Sequence, residues 1–132
     1  MYWDYHVLAL AATPTGGLLA LDLDSRLPFP CAAELWLAAS CPTEPPERHA
    51  ALFRLVEAPE YLALLSSDRS HMREADGSWK AAPPPWEPFR GTGGNNLLQW
   101  IDMGRAAPGR VMDRAAFAAA IARSLPPPGR EG

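Results

Sequence analysis

His6 and the aspartates Asp22 and Asp24 lie in short apolar segments on either side of a turn-forming run, Thr13-Pro14-Thr15-Gly16-Gly17. An imidazole held at one nitrogen by a carboxylate has a fixed tautomer and a stabilised cationic form, and its other nitrogen can activate a nucleophile. Histidine and aspartate are thus two members of a nucleophilic triad, and the third member is what this sequence leaves open.

The elements that must position them are two strands. Residues 3–11 and 18–24 are apolar and short, and Pro14, Gly16 and Gly17 supply the backbone angles of a turn between them, so they form a β-hairpin. Facing residues in a hairpin have index sums set by the turn centre: centring on Pro14 gives 28 and sets His6 opposite Asp22, whereas centring on Thr15 gives 30 and sets it opposite Asp24. All three point to one face in either register. The plainer alternative is a buried histidine satisfied by a nearby carboxylate, with no chemistry attached. Both strands are apolar on both faces, as in a sheet covered on each side.

Pro28 and Pro30 stop the second strand, Ala32 to Ser40 reads as a short helix carrying Leu35 and Trp36, and the Cys41-Pro42-Thr43-Glu44-Pro45-Pro46 run breaks it. A helix and then a strand over Leu52 to Val56 are favoured for the next stretch, though Glu47 to Glu57 also fits one helix. Glu60 to Ser66 is helical, and Ser67 to Glu87 is a long ordered loop with an extended Pro83-Pro84-Pro85. Asn95 or Asn96 caps a short helix through Ile101, and Asp113 caps Arg114 to Leu125, where Phe117, Ile121 and Leu125 recur every fourth residue. The fold class is α+β, an antiparallel sheet with flanking helices, in a single domain over residues 1–125 with a disordered tail over 126–132.

Composition excludes several classes. With 12 basic and 15 acidic residues the net charge is -3, and the basic residues are scattered, so no nucleic-acid surface is expected. No apolar run reaches the roughly 18 residues a membrane span needs, and a cytoplasmic location is expected. Two cysteines and three dispersed histidines, His6, His49 and His71, form no metal-ligand spacing, and intracellular thiols stay reduced.

A resemblance adds what spacing leaves undecided. Trp-Asp-Tyr-His-Val at 3–7, Asp-Leu-Asp at 22–24, Leu-Pro-Phe-Pro-Cys at 27–31, Ser-Asp-Arg-Ser-His-Met at 67–72, Gly-Ser-Trp at 77–79, Pro-Pro-Pro at 83–85 and Asn-Leu at 96–97 follow in order. In these segments, from residue 2 to about residue 122, the chain resembles the protein N-terminal glutamine amidohydrolase family, enzymes that deamidate an N-terminal Gln to Glu. The resemblance covers the later part of the family pattern. It implies a fold like papain or transglutaminase relatives and a Cys-His-Asp triad in which His6 is the histidine and Asp22 its orienting carboxylate. It also implies proteins or peptides with an N-terminal Gln as partners, no cofactor, and a full-length form acting as a monomer.

The family's nucleophilic cysteine precedes its Trp-Asp-Tyr-His segment by several dozen residues, so the nucleophile is expected to be absent from this chain, which alone should be inactive and, lacking the helices that cover the sheet, should expose an apolar patch and self-associate. Cys31, beyond two prolines that turn the chain away, is expected to be a small buried apolar residue, and Cys41 a surface thiol. Asp68 is a candidate for the substrate α-ammonium, but turning its loop and pairing with Arg69 is the favoured reading. Asp4 and Asp24 compete for that ammonium role, and Trp3, Tyr5, Trp79 and Trp86 could line a pocket mouth or serve the core. The alternative to an enzyme is a non-catalytic remnant or a module that binds peptide N-termini.

Overall fold

The computed structural model describes residues 5–91 and 95–124, and these fall into two compact units: those up to Phe53 together with those from Met112 onward, and Arg54–Val111. Trp3, Asp4, Leu125 and the tail over 126–132 lie outside the described residues.

In the first unit β1 (Ala9–Ala12) and β2 (Leu18–Leu21) form the hairpin, and every pair of its register sums to 30. The turn is thus centred on Thr15. Thr13 and Gly17 close it, the Thr13 amide donating to the Gly17 carbonyl at 3.1 Å, while Gly16 and Gly17 take φ of 88° and 85°, angles that a Cβ would strain. β2 also pairs with β3 (Cys31–Ala32), and α1 (Ala33–Ser40) starts at the next residue. The helix thereby inherits its position from the sheet, which matters for Trp36.

α4 (Arg114–Arg123) begins at Asp113 as anticipated, and the Asp113 carboxylate accepts from the Ala116 amide at 2.8 Å. α1 packs on α4. Ala33, Trp36, Leu37, Phe117 and Ile121 are buried, and Phe53 stacks on Phe117 with ring centroids 4.3 Å apart. This helix layer covers only part of the sheet. No residue of β1 is buried, and Leu23 is 89 % exposed and Val7 56 %, so the expectation of a sheet covered on both faces is not met within the described residues.

β4 (Leu52–Leu55) follows a 3-10 turn at Glu47–His49, the helix-then-strand order, and pairs with β5 (Arg110–Asp113), a strand the sequence pattern did not announce. The second unit carries α2 (Ala58–Leu64) and α3 (Leu97–Ile101), with Tyr61 meeting Trp100 edge-on at 5.5 Å. Asn96 stands at the N-cap position of α3, but its side chain makes no cap bond. Its side chain instead accepts from the Ser66 amide and donates to the Leu64 carbonyl, both at 2.8 Å, tying the helix start to the end of α2. Gly91 is required where it stands, because a Cβ there would lie 2.6 Å from the Leu65 carbonyl oxygen.

Arg54 organises the stretch that follows α3. Its five N–H groups donate to the carbonyls of Trp100, Asp102, Arg105, Ala107 and Pro108 at 3.0–3.4 Å, which uses every donor a guanidinium has.

Candidate active site

The ladder between β1 and β2 stops at Ala9 and Leu21, so His6 stands three residues before it and Asp22 directly after it. Continuing a register of 30 would set His6 opposite Asp24. The structure instead joins His6 Nε2 to Asp22 Oδ2 at 2.9 Å, with the histidine side chain 17 % exposed and the carboxylate 3 %. The chain bends out of the ladder at Asp22: the Asp24 amide donates to Asp22 Oδ1 at 3.0 Å, a side-chain-to-backbone turn that draws the Asp22 carboxylate inward and leaves Asp24 exposed.

A third donor completes the site. Trp36, buried on α1, donates its indole N–H to Asp22 Oδ2 at 2.8 Å, the same oxygen that bonds His6. Sequence reasoning had Trp36 only as a helix residue among alanines. The available signal was that a buried indole N–H needs an acceptor, and Asp22 is a buried acceptor fourteen positions away.

Burial alone would push the Asp22 carboxyl up. The hydrogen bonds from His6, Trp36 and the Asp24 amide outweigh it, with a smaller contribution from the histidine's charge, and hold it below the usual 3.8. Asp22 is therefore ionised at neutral pH. A carboxylate only accepts, so His6 must donate through Nε2, and in the neutral ring the basic nitrogen is Nδ1.

Both cysteines are free and buried. Cys31 lies on β3 with its backbone paired to Ala20. Cys41 is not a surface thiol: it closes α1 through its amide to the Leu37 carbonyl, and its own carbonyl accepts from Arg114 Nε at 2.7 Å, so the proline-rich run begins only after a residue locked into the helix pair. Burial pushes the Cys41 thiol up, against the opposing charge of Arg114.

In the second unit, Asp68 Oδ1 accepts from the Ser70 amide at 2.8 Å and turns its loop, and the Ser70 hydroxyl and amide hold its carboxyl below the usual range. Arg69 does not pair with it; the guanidinium donates to the Trp86 carbonyl at 2.8 Å, which pins one end of the loop to the other. Arg73 lies 3.8 Å over the Trp79 ring, Trp86 is 66 % exposed and Tyr5, in the first unit, 41 %. Among the described residues no helix is long and apolar enough to cross a membrane.

A family model described as N-terminal glutamine amidase matches residues 1–121. The chain is similar to the protein N-terminal glutamine amidohydrolase of Arabidopsis thaliana, 37 % identical over 131 residues, covering 93 % of this chain and 58 % of that protein. It is likewise similar to the protein of that name from Homo sapiens, 37 % identical over 107 residues, covering 76 % of this chain and 51 % of the relative. For the Danio rerio protein of that name the identity is 36 % over 86 residues, covering 64 % and 43 % respectively. The chain spans about half the length of the curated relatives it matches.

Proposed function

Since this chain belongs to the N-terminal glutamine amidase family, we propose that it carries the histidine and carboxylate of an enzyme that deamidates the N-terminal Gln of proteins or peptides to Glu with release of ammonia. The observation that carries this reading is the 2.9 Å bond between His6 Nε2 and a buried Asp22 carboxylate, which leaves proton transfer to Nδ1. Residues 1–125 act as the later part of one cytoplasmic amidase domain of papain or transglutaminase type, monomeric in its full-length form.

The nucleophile is a cysteine thiol supplied by residues outside these 132. Cys41 is a poor alternative, because its thiol is buried and resists ionisation, and Cys31 is enclosed on the sheet. His6 takes the thiol proton, the sulfur bonds to the side-chain carboxamide carbon, and the C–N bond breaks as His6 returns the proton to the departing ammonia. Water then adds to the thioester, giving a proton to His6. The C–S bond breaks, glutamate leaves, and the thiolate is reprotonated. Asp22 fixes the ring orientation and stabilises the imidazolium in both halves, and with every proton carried by His6 the cycle calls for no cofactor.

A peptide beginning with Gln, incubated with the 132-residue chain and with a form extended upstream by the length its relatives carry, tests this by ammonia release. Release by the extended form and its loss in His6→Ala is the expected result. Release by the 132-residue chain itself would overturn the assignment of the nucleophile, and none from the extended form would overturn the amidase and favour a module that binds peptide N-termini.

A further inference from the structure

The geometry points to Trp36 as a positioning residue for the site: its indole N–H fixes the Asp22 carboxylate so that Oδ2 presents a single remaining lone pair to His6 Nε2. This rests on the amidase reading above for its catalytic meaning, though not for its geometry.

A carboxylate attached through two rotatable bonds to a chain leaving a strand is free to turn, and a turned carboxylate would let the imidazole tilt. Three donors prevent it. The Asp24 amide holds Oδ1 at 3.0 Å, while Trp36 and His6 share Oδ2 at 2.8 and 2.9 Å. The indole is the donor fixed by burial on a helix. Trp36 is 2 % exposed, sits in the second turn of α1, and that helix starts at the residue after β3, itself paired to the β2 strand from which Asp22 emerges. The helix that carries the anchor and the residue it anchors therefore both leave the same sheet.

The plain alternative is that a buried indole needed an acceptor and found one. The choice of oxygen argues against indifference: Trp36 bonds the oxygen that meets His6 and not the one that meets the backbone. Sharing an oxygen means that loss of the indole donor is felt directly at the His6 bond. Among the described residues His6 is the titratable group that acts on Asp22, so a change in Asp22 titration on altering Trp36 has few other sources.

Trp36→Phe keeps an aromatic ring and removes the donor. In the 132-residue chain, carboxyl carbon NMR is expected to show Asp22 titrating at higher pH in this variant than in the wild type. In the extended form, kcat is expected to fall about 10- to 100-fold with KM within about twofold. The same substitution made on top of Asp22→Asn should cost nothing further in kcat.

An unmoved Asp22 titration, or an equal kcat loss in both backgrounds, would overturn the inference. Should Trp36→Phe not fold, Asp22→Asn answers in its place. The Trp36 indole proton resonance should move upfield when its charged acceptor becomes neutral, and an unchanged resonance would overturn the inference as surely. Failure of the amidase reading looks different: no ammonia from any wild-type form, while the titration shift in Trp36→Phe persists.

Discussion

Asp22 in the first unit and Arg54 in the second are both ionised side chains surrounded by hydrogen-bond partners, and the partners differ in kind. Arg54 donates to five carbonyls, all of them main chain, and none can change its protonation state. Two of the three donors on Asp22 are side chains, and one of those, His6, is the group whose proton can come and go. A charge satisfied wholly by the main chain holds shape. A charge that shares a titratable partner holds shape and also sets where a proton can move, and only the second arrangement is suited to catalysis.

Substitutions can break this contrast or sharpen it. The largest expected effect is on His6→Ala, which should lower the kcat for ammonia release in the extended form by about a thousandfold or more while costing only the roughly 1–3 kcal/mol of stability that one hydrogen bond to a buried carboxylate is worth. A matching collapse of stability would place His6 in the Arg54 class. The mirror experiment is Arg54→Leu, expected to destabilise by about 2–4 kcal/mol as five carbonyls lose their shared donor, with faster amide exchange over residues 102–107. Arg54→Lys should recover only part of this, since an ammonium cannot fork to five acceptors. Chemical denaturation reads both.

Acid gives a smaller and more pointed test. The folded-state value of Asp22 is lowered, so its ionised form adds stability above the ordinary value of 3.8, and that contribution is lost as pH falls through the folded value. The gap in melting temperature between the wild type and Asp22→Asn should be widest near neutrality and close as the pH drops below that range. A gap independent of pH would mean that charge on Asp22 is not what its donors stabilise. The smallest effect belongs to Asp113→Ala, about 1 kcal/mol of stability with kcat unchanged, because this carboxylate serves one main-chain amide at the start of α4.

Much of the frame was legible in the sequence. Turn residues announced the hairpin, and Asp113 announced α4, since both signals are local and each has one cheap structural answer. From spacing the site was legible only as a choice: cross-strand counting left Asp22 and Asp24 open, the family resemblance pointed to Asp22, and the register of 30 that the hairpin adopts would by itself have selected Asp24. Asp22 wins because the ladder ends at Leu21 and the carboxylate bonds its own backbone two residues on, a departure from strand geometry that periodicity cannot register.

Trp36 and Arg54 were illegible for a different reason. Their partners lie 14 and between 46 and 54 positions away, and nothing local marks them. The prolines after Cys41 suggest exposure, whereas the residue is buried and its carbonyl is held by Arg114, 73 residues later. Asn96 takes the cap position that asparagine before a helix commonly takes, but its side-chain amide is claimed by the end of α2.

The guanidinium of Arg54 recognises carbonyl oxygens, which every amino acid possesses alike. Substitutions at Arg105 and Ala107 can therefore accumulate over generations without dissolving the knot they wrap around, and Gly104, where an added methyl would meet only an Asp102 oxygen at 3.4 Å, shares that latitude. Gly109 does not, with a φ of +86° and the Leu55 carbonyl 2.5 Å from any methyl placed there. Evolutionary drift along this stretch should be wide and should halt abruptly at that glycine.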